Sequence, residues 1–150
     1  MRTLAIDLGT RRVGLAMSDA GGRFATPYEV LQVSSPQMAA VKVLEVIATE
    51  GVERIVVGLP LNMDDSIGPA ARQAIAWGGE LARRAEKPVI FVDERLSSFA
   101  AEQDLNDRKR GGEKLTRKRR KAQLDALAAA GFLQGLLDGK LQAVDVELGE

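Results

Sequence analysis

An apolar run, Leu4-Ala5-Ile6, ends in the carboxylate of Asp7, and a second run, Val13-Gly14-Leu15-Ala16, follows a glycine-punctuated turn. This pattern predicts strands over 3–8 and 13–18 joined by a hairpin turn at Gly9–Arg12. Asp19-Ala20-Gly21-Gly22 marks another turn, and 23–33 supplies a third strand, so the chain opens as an antiparallel meander. Ser35 and Pro36 then suit the N-cap and first turn of a helix over 37–50, which Gly51 closes. Arg54-Ile55-Val56-Val57-Gly58 and Pro88-Val89-Ile90-Phe91-Val92 are nearly continuous apolar runs, as strands covered on both faces require. Between them, 59–67 reads as a loop and 68–86 as a helix with Pro69 in its first turn. Ser97 or Ser98 caps a helix running to about 106, and 108–117, with Gly111-Gly112, is expected to bend. A last helix covers 118–138, stopped by Gly139, and the acidic tail 139–150 is expected to be loose.

The element order βββαβαβαα predicts an α/β fold. It is a five-stranded mixed sheet, an antiparallel meander then parallel strands, with helices on both faces. Residues 1–138 form a single domain in this reading.

Composition narrows the chemistry. The 150 residues include no cysteine and no histidine. Disulfides, thiolate zinc sites, a cysteine nucleophile, a serine–histidine triad and an imidazole base are therefore excluded. A hydrolase built from this chain must work through carboxylates, alone or with a metal. Asp7 interrupts the N-terminal apolar stretch, which is not a signal-peptide pattern, and no run approaches the roughly 18–20 apolar residues of a membrane span. The expectation is a soluble cytoplasmic protein. Net charge is zero, yet Arg108–Lys121 holds nine Lys/Arg against Glu113 alone. That strip, including Arg117, Lys118, Arg119 and Arg120, is a candidate phosphate-binding surface, or else a solvated charge run.

Three acidic positions stand out. Asp7 ends the first strand, Asp93 and Glu94 end the fifth, and Asp125 shares a helical stripe with Ala122, Ala128, Ala129, Phe132 and Leu136. Ligands collect at strand ends in open α/β sheets. Acids from two strand ends and one helix can converge there on a hard cation, Mg²⁺ or Mn²⁺, suited to phosphodiester hydrolysis. Each acid also has a structural alternative. Asp7 can cap its turn, Asp93 or Glu94 can pair with Arg95, and Asp125 can pair with Lys121 one helical turn away.

Four blocks in order, Asp7-Leu8-Gly9-Thr10-Arg11-Arg12-Val13-Gly14-Leu15-Ala16, Val56-Val57-Gly58-Leu59-Pro60-Leu61-Asn62-Met63-Asp64, Asp93-Glu94-Arg95-Leu96-Ser97-Ser98 and Asp125-Ala126-Leu127-Ala128-Ala129, resemble the YqgF family. It is also called the RuvX or Holliday junction resolvase-like family. The resemblance spans Leu4 to about Leu137. It implies an RNase H-like fold and a metal-dependent nuclease with a part in maturing the 5′ end of pre-16S ribosomal RNA. It makes Asp7 the first catalytic acid and metal ligand, Glu94 or Asp93 the second, and Asp125 the third. Arg12 and Arg95 match the motif arginines and are expected to contact phosphate. One departure stands out. RuvC-type nucleases place an acid just after the fourth strand, where this chain has Gly58-Leu59-Pro60. The second ligand must then come from strand five, or from Asp64 or Asp65.

The expected partner is nucleic acid, an RNA precursor first and branched DNA second, with no membrane. A non-catalytic nucleic-acid-binding domain is the reading from another class, and the acid triad opposes it. A resolvase must cut two strands symmetrically and should be a stable dimer. No heptad or long apolar edge announces one, so a monomer or weak homodimer is expected.

Overall fold

In the computed structural model, residues 1–95 and 117–146 are described, the side chains of 117–123 excepted. The strands are β1 (Thr3–Leu8), β2 (Arg12–Ser18), β3 (Ala25–Gln32), β4 (Arg54–Leu59) and β5 (Val89–Asp93). The helices are α1 (Pro36–Glu50), α2 (Pro69–Ala85) and α3 (Arg117–Leu137). The helix expected up to about 106 lies outside the described residues, as does the stretch 108–117 expected to bend, except for Arg117, which opens α3. The sheet order is β3-β2-β1-β4-β5, with β1–β2 and β2–β3 antiparallel and β1–β4 and β4–β5 parallel. This is the expected mixed sheet. β3 starts two residues later than the apolar pattern implies. The Asp19 carboxylate accepts from the backbone N–H groups of Arg23 (2.8 Å) and Phe24 (2.9 Å), which extends the turn to that point.

Strand alternation divides the interior into two unequal layers. Leu4, Ile6, Val13, Leu15, Ile55, Val57 and Phe91 face one side and pack with Ala39, Val43 and Ile47 of α1 and Leu81 of α2. Ala5, Ala16, Val56 and Val92 face the other and pack under Ala129, Phe132 and Leu133 of α3. The first layer is built of large side chains and the second, on its sheet side, of small ones. Small residues bring α3 close to the sheet. A Cβ at Gly14 would lie 2.2 Å from the Asp125 carbonyl oxygen, so only glycine fits there.

The tail is not loose between 141 and 146. Beyond Gly139, in left-handed conformation (φ 75°), Leu141 packs at Gly135 and the Val144 N–H donates to the Phe91 carbonyl at 2.7 Å. β5 is an edge strand with backbone groups to satisfy, and Val144 and Val146 alternate onto the large-residue layer. Among the described residues, no helix is long and apolar enough to cross a membrane.

Candidate active site

The alternation that builds the two layers also sorts the acids. Asp7 has the parity of Ala5 and Glu94 that of Val92, so both belong to the α3 side of the sheet, while Asp93 has the parity of Phe91. Asp7 lies opposite Gly14 in the β1–β2 register, and the backbone of Asp125 sits directly over Gly14. Arg12 has the parity of Gly14 and Ala16 and also points to α3. Asp7, Glu94, Asp125 and Arg12 therefore gather at one end of the sheet.

The Glu94 N–H donates to the Leu59 carbonyl at 3.2 Å, which fixes the chain as it leaves β5. Its side chain turns back over β4, where a Cβ at Gly58 would come within 2.8 Å of Glu94 Oε2. The glycine that stands where an acid is expected after strand four is thus what admits an acid from strand five. Glu94 is hydrogen-bonded to Asp7. Both residues keep a partly exposed rim, but their carboxyl groups are largely stripped of water. Burial and then the charge of Asp7 push Glu94 up to about 9. Burial raises Asp7 as well, opposed by its hydrogen bond with Glu94 and reinforced by the charge of Asp125. In the pair the proton belongs on Glu94, which donates to Asp7.

Asp125 is raised by burial, and Arg12 offsets the rise. Arg12 Nε stands 2.9 Å from Asp125 Oδ2, an ion pair. Oδ2 is buried, and this charged contact is the partner it has among the described residues. The sequence offered Lys121 as an ion-pair alternative for Asp125, and the Lys121 side chain lies outside the described residues. The structure pairs Asp125 with Arg12 from β2. Parity on β2 gives the face to which Arg12 points but not its partner.

Asp93 is not brought to Asp7. It is held by Arg95, which donates to Oδ1 from Nε (3.0 Å) and to Oδ2 from Nη2 (2.7 Å), and this lowers the Asp93 carboxyl. Arg95 also donates to the Asn62 carbonyl from Nη1 (2.6 Å) and pairs with Asp65. Its guanidinium thus braces the β4–α2 loop. Asp64, exposed, accepts from the Ser66 N–H and hydroxyl within the loop, so neither loop acid joins the cluster. Arg117, Lys118, Arg119 and Arg120 open α3, but their side chains lie outside the described residues.

A cleft of about 380 Å³ adjoins the cluster, lined by Asp7, Thr10, Arg11, Arg12, Gln32 and Asp125. Sequence reasoning had not placed Thr10, Arg11 or Gln32 beside it. A larger groove, about 760 Å³, lies between α2 and the start of β5. It opens at the opposite end of β5 from Glu94 and has no part in this chemistry. Among the described residues, no three carboxylates already form a closed metal cage. The donor set nevertheless fits a hard cation. It offers oxygen ligands only, two carboxyls forced to share a proton, and a third whose buried Oδ2 is met by the Arg12 guanidinium.

Two solved resolvases share this architecture. Thermus thermophilus RuvC in complex with a Holliday junction substrate superposes with a TM-score of 0.62 at 21% identity, over 96% of this chain and 99% of that one. The fowlpox virus resolvase in complex with Holliday junction DNA does so with a TM-score of 0.55 at 10% identity, over 93% and 98%. The fold is that of the RNase H-like resolvases. Within that class, residues 1–139 match the family described as "RuvX: Holliday junction resolvase", and the chain belongs to it. A relative from Acidiphilium cryptum is 41% identical over 137 residues, covering 91% of this chain and 84% of that protein. One from Maridesulfovibrio salexigens is 42% identical over 134 residues, covering 89% and 96%. Both carry the name "Putative pre-16S rRNA nuclease".

Proposed function

We propose that Asp7, Glu94 and Asp125 are the metal-binding catalytic acids with which this chain, a nuclease, hydrolyses phosphodiester bonds in precursor 16S ribosomal RNA. The observation that carries the reading is the turn of Glu94 across Gly58 onto Asp7, on the face where α3 presents Asp125. Mg²⁺ or Mn²⁺ bound by these acids would activate the attacking water and stabilise the leaving oxygen. The protein supplies the rest. The sheet fixes Asp7, the Leu59 carbonyl anchors Glu94, and Gly14 lets α3 bring Asp125 down. Arg12 balances Asp125 in the free protein and stands at the cleft where a substrate phosphate would enter. A guanidinium pairs bidentately with phosphate as it does with carboxylate, so Arg12 can take up such a phosphate. Asp93 and Arg95 act in this scheme as a brace and not as ligand and phosphate contact. On this reading the protein works in the cytoplasm.

The family description and the fold keep branched DNA as the second substrate. Matched RNA precursor and four-way-junction substrates, each incubated with Mg²⁺, Mn²⁺ or chelator, separate the two. Metal-dependent cleavage of the RNA is the expected result. Asp7→Asn should abolish it while leaving the circular dichroism spectrum and the melting transition intact. Full activity in a folded Asp7→Asn variant would overturn the site.

A further inference from the structure

Beyond the Leu59 carbonyl that anchors Glu94, the motif Leu59-Pro60-Leu61-Asn62-Met63-Asp64 is not used by the carboxylate centre, yet the loop it opens is ordered by its own hydrogen bonds. The Asn62 N–H donates to the Ser66 carbonyl (3.0 Å) and the Asp65 N–H to the Asn62 carbonyl (2.9 Å). Asn62 Nδ2 donates to Ser66 Oγ (2.9 Å), and Asp65 takes a left-handed backbone (φ 68°) to close the turn. Arg95, the residue after Glu94, then ties the loop to the end of β5 through the Asn62 carbonyl and Asp65. At the tip of this braced turn Met63 is 96% exposed, whereas the next large apolar side chain among the described residues, Phe24, is 65% exposed. A single exposed apolar residue is ordinary. One held out by an ordered loop, one residue from the carbonyl that Arg95 grips beside the active centre, is in a position to act.

The loop's charge selects what it can touch. Asp64 and Asp65 follow Met63 directly, so the tip repels a phosphate backbone. An uncharged aromatic face suits it, because a thioether packs well against such a ring, and apolar side chains of this kind wedge against bases in nucleic-acid complexes. We propose that Met63 is a base-contacting residue. It packs on the face of an unstacked nucleobase in the strand whose phosphodiester lies at the Asp7–Glu94–Asp125 centre. This rests on the nuclease reading above, so its test is made on binding rather than cleavage.

Single-stranded RNA oligonucleotides carrying 2-aminopurine at successive positions are titrated with the full chain in chelator. Fluorescence should change at one or two adjacent positions on binding. Met63→Ala should weaken affinity about two- to tenfold and remove that local signal. Met63→Phe should restore both, which a merely structural role would not produce. Met38→Ala, an exposed methionine on α1, should change neither. Unaltered affinity and signal in Met63→Ala would overturn the proposal, as would wild-type chain that does not bind these oligonucleotides. A shift in sedimentation of the free protein with RNA binding unchanged would also overturn it, and would make Met63 a contact between copies. Wild type that binds with the local signal but never cleaves in Mg²⁺ or Mn²⁺ would sink the nuclease reading and leave the base contact standing.

Discussion

Asp7 and Glu94 share one proton across a contact largely stripped of water, and that has a measurable cost. The folded chain holds the Glu94 proton up to about 9, whereas its ordinary value is near 4.5. Between those values the native state binds more protons than the unfolded state, so stability without metal must fall as pH rises through that window. Glu94→Gln keeps the hydrogen bond to Asp7 and removes the titration. Metal-free Glu94→Gln should therefore melt several degrees above wild type at pH 8 and match it near pH 4.5, by calorimetry in chelator. The variant should also lose cleavage. A wild-type protein whose metal-free stability is flat from pH 5 to pH 8 would contradict the buried pair. Stability surrendered at a charged site in this way is common where function needs carboxylates held together.

At the scale of elements, the acids converge because α3 lies unusually close to β2. A Cβ at Gly14 would stand 2.2 Å from the Asp125 oxygen and 2.4 Å from its carbonyl carbon, both backbone atoms that cannot swing aside. Gly14→Ala should cost about 1–3 kcal/mol or more by overpacking, read in urea denaturation, and should lower activity further by lifting Asp125. Gly58→Ala meets the buried Phe132 ring at 2.7 Å as well as the Glu94 carboxylate at 2.8 Å, so it too should lower stability by overpacking, and it should displace Glu94 from its place across β4. The five strands, the helices α1, α2 and α3, and the positions of Asp7 at a strand end and Asp125 on the sheet-facing stripe of α3 were legible in the sequence, since each depends on local periodicity. The choice of Glu94 over Asp93 was legible too, had parity been carried from Val92 past the end of β5. The Arg12–Asp125 pair was not. It depends on how far α3 descends onto β2, and nothing local to residue 125 encodes a partner more than a hundred positions away. The docking of Val144 on β5 was hidden for the same reason.

For the whole molecule, charge is the dominant asymmetry. Arg108–Lys121 carries nine cations on a chain of zero net charge, leaving the rest acidic. A nuclease that is acidic around its active centre needs a separate means of holding a polyanion, and this strip is the candidate. Neutralising Arg117, Arg119 and Arg120 should weaken nucleic-acid binding and flatten its salt dependence by about 0.7–0.9 for each phosphate no longer neutralised. The rate at saturating substrate should hold, since the acids lie elsewhere. Binding with unchanged strength and slope, by anisotropy across a salt series, would reduce the strip to a solvated charge run. The sheet has its own vulnerability at the other extreme of the fold. The hydrogen bond from Val144 to Phe91 lies on the outer edge of β5, where another copy of the chain would otherwise find an open strand. Residues 141–146 therefore bear on the protein's colloidal behaviour. A chain cut short at Gly139, or one whose C-terminal fusion pulls the segment away, exposes an adhesive margin, and the first symptom should be aggregation at high concentration before any loss of catalysis.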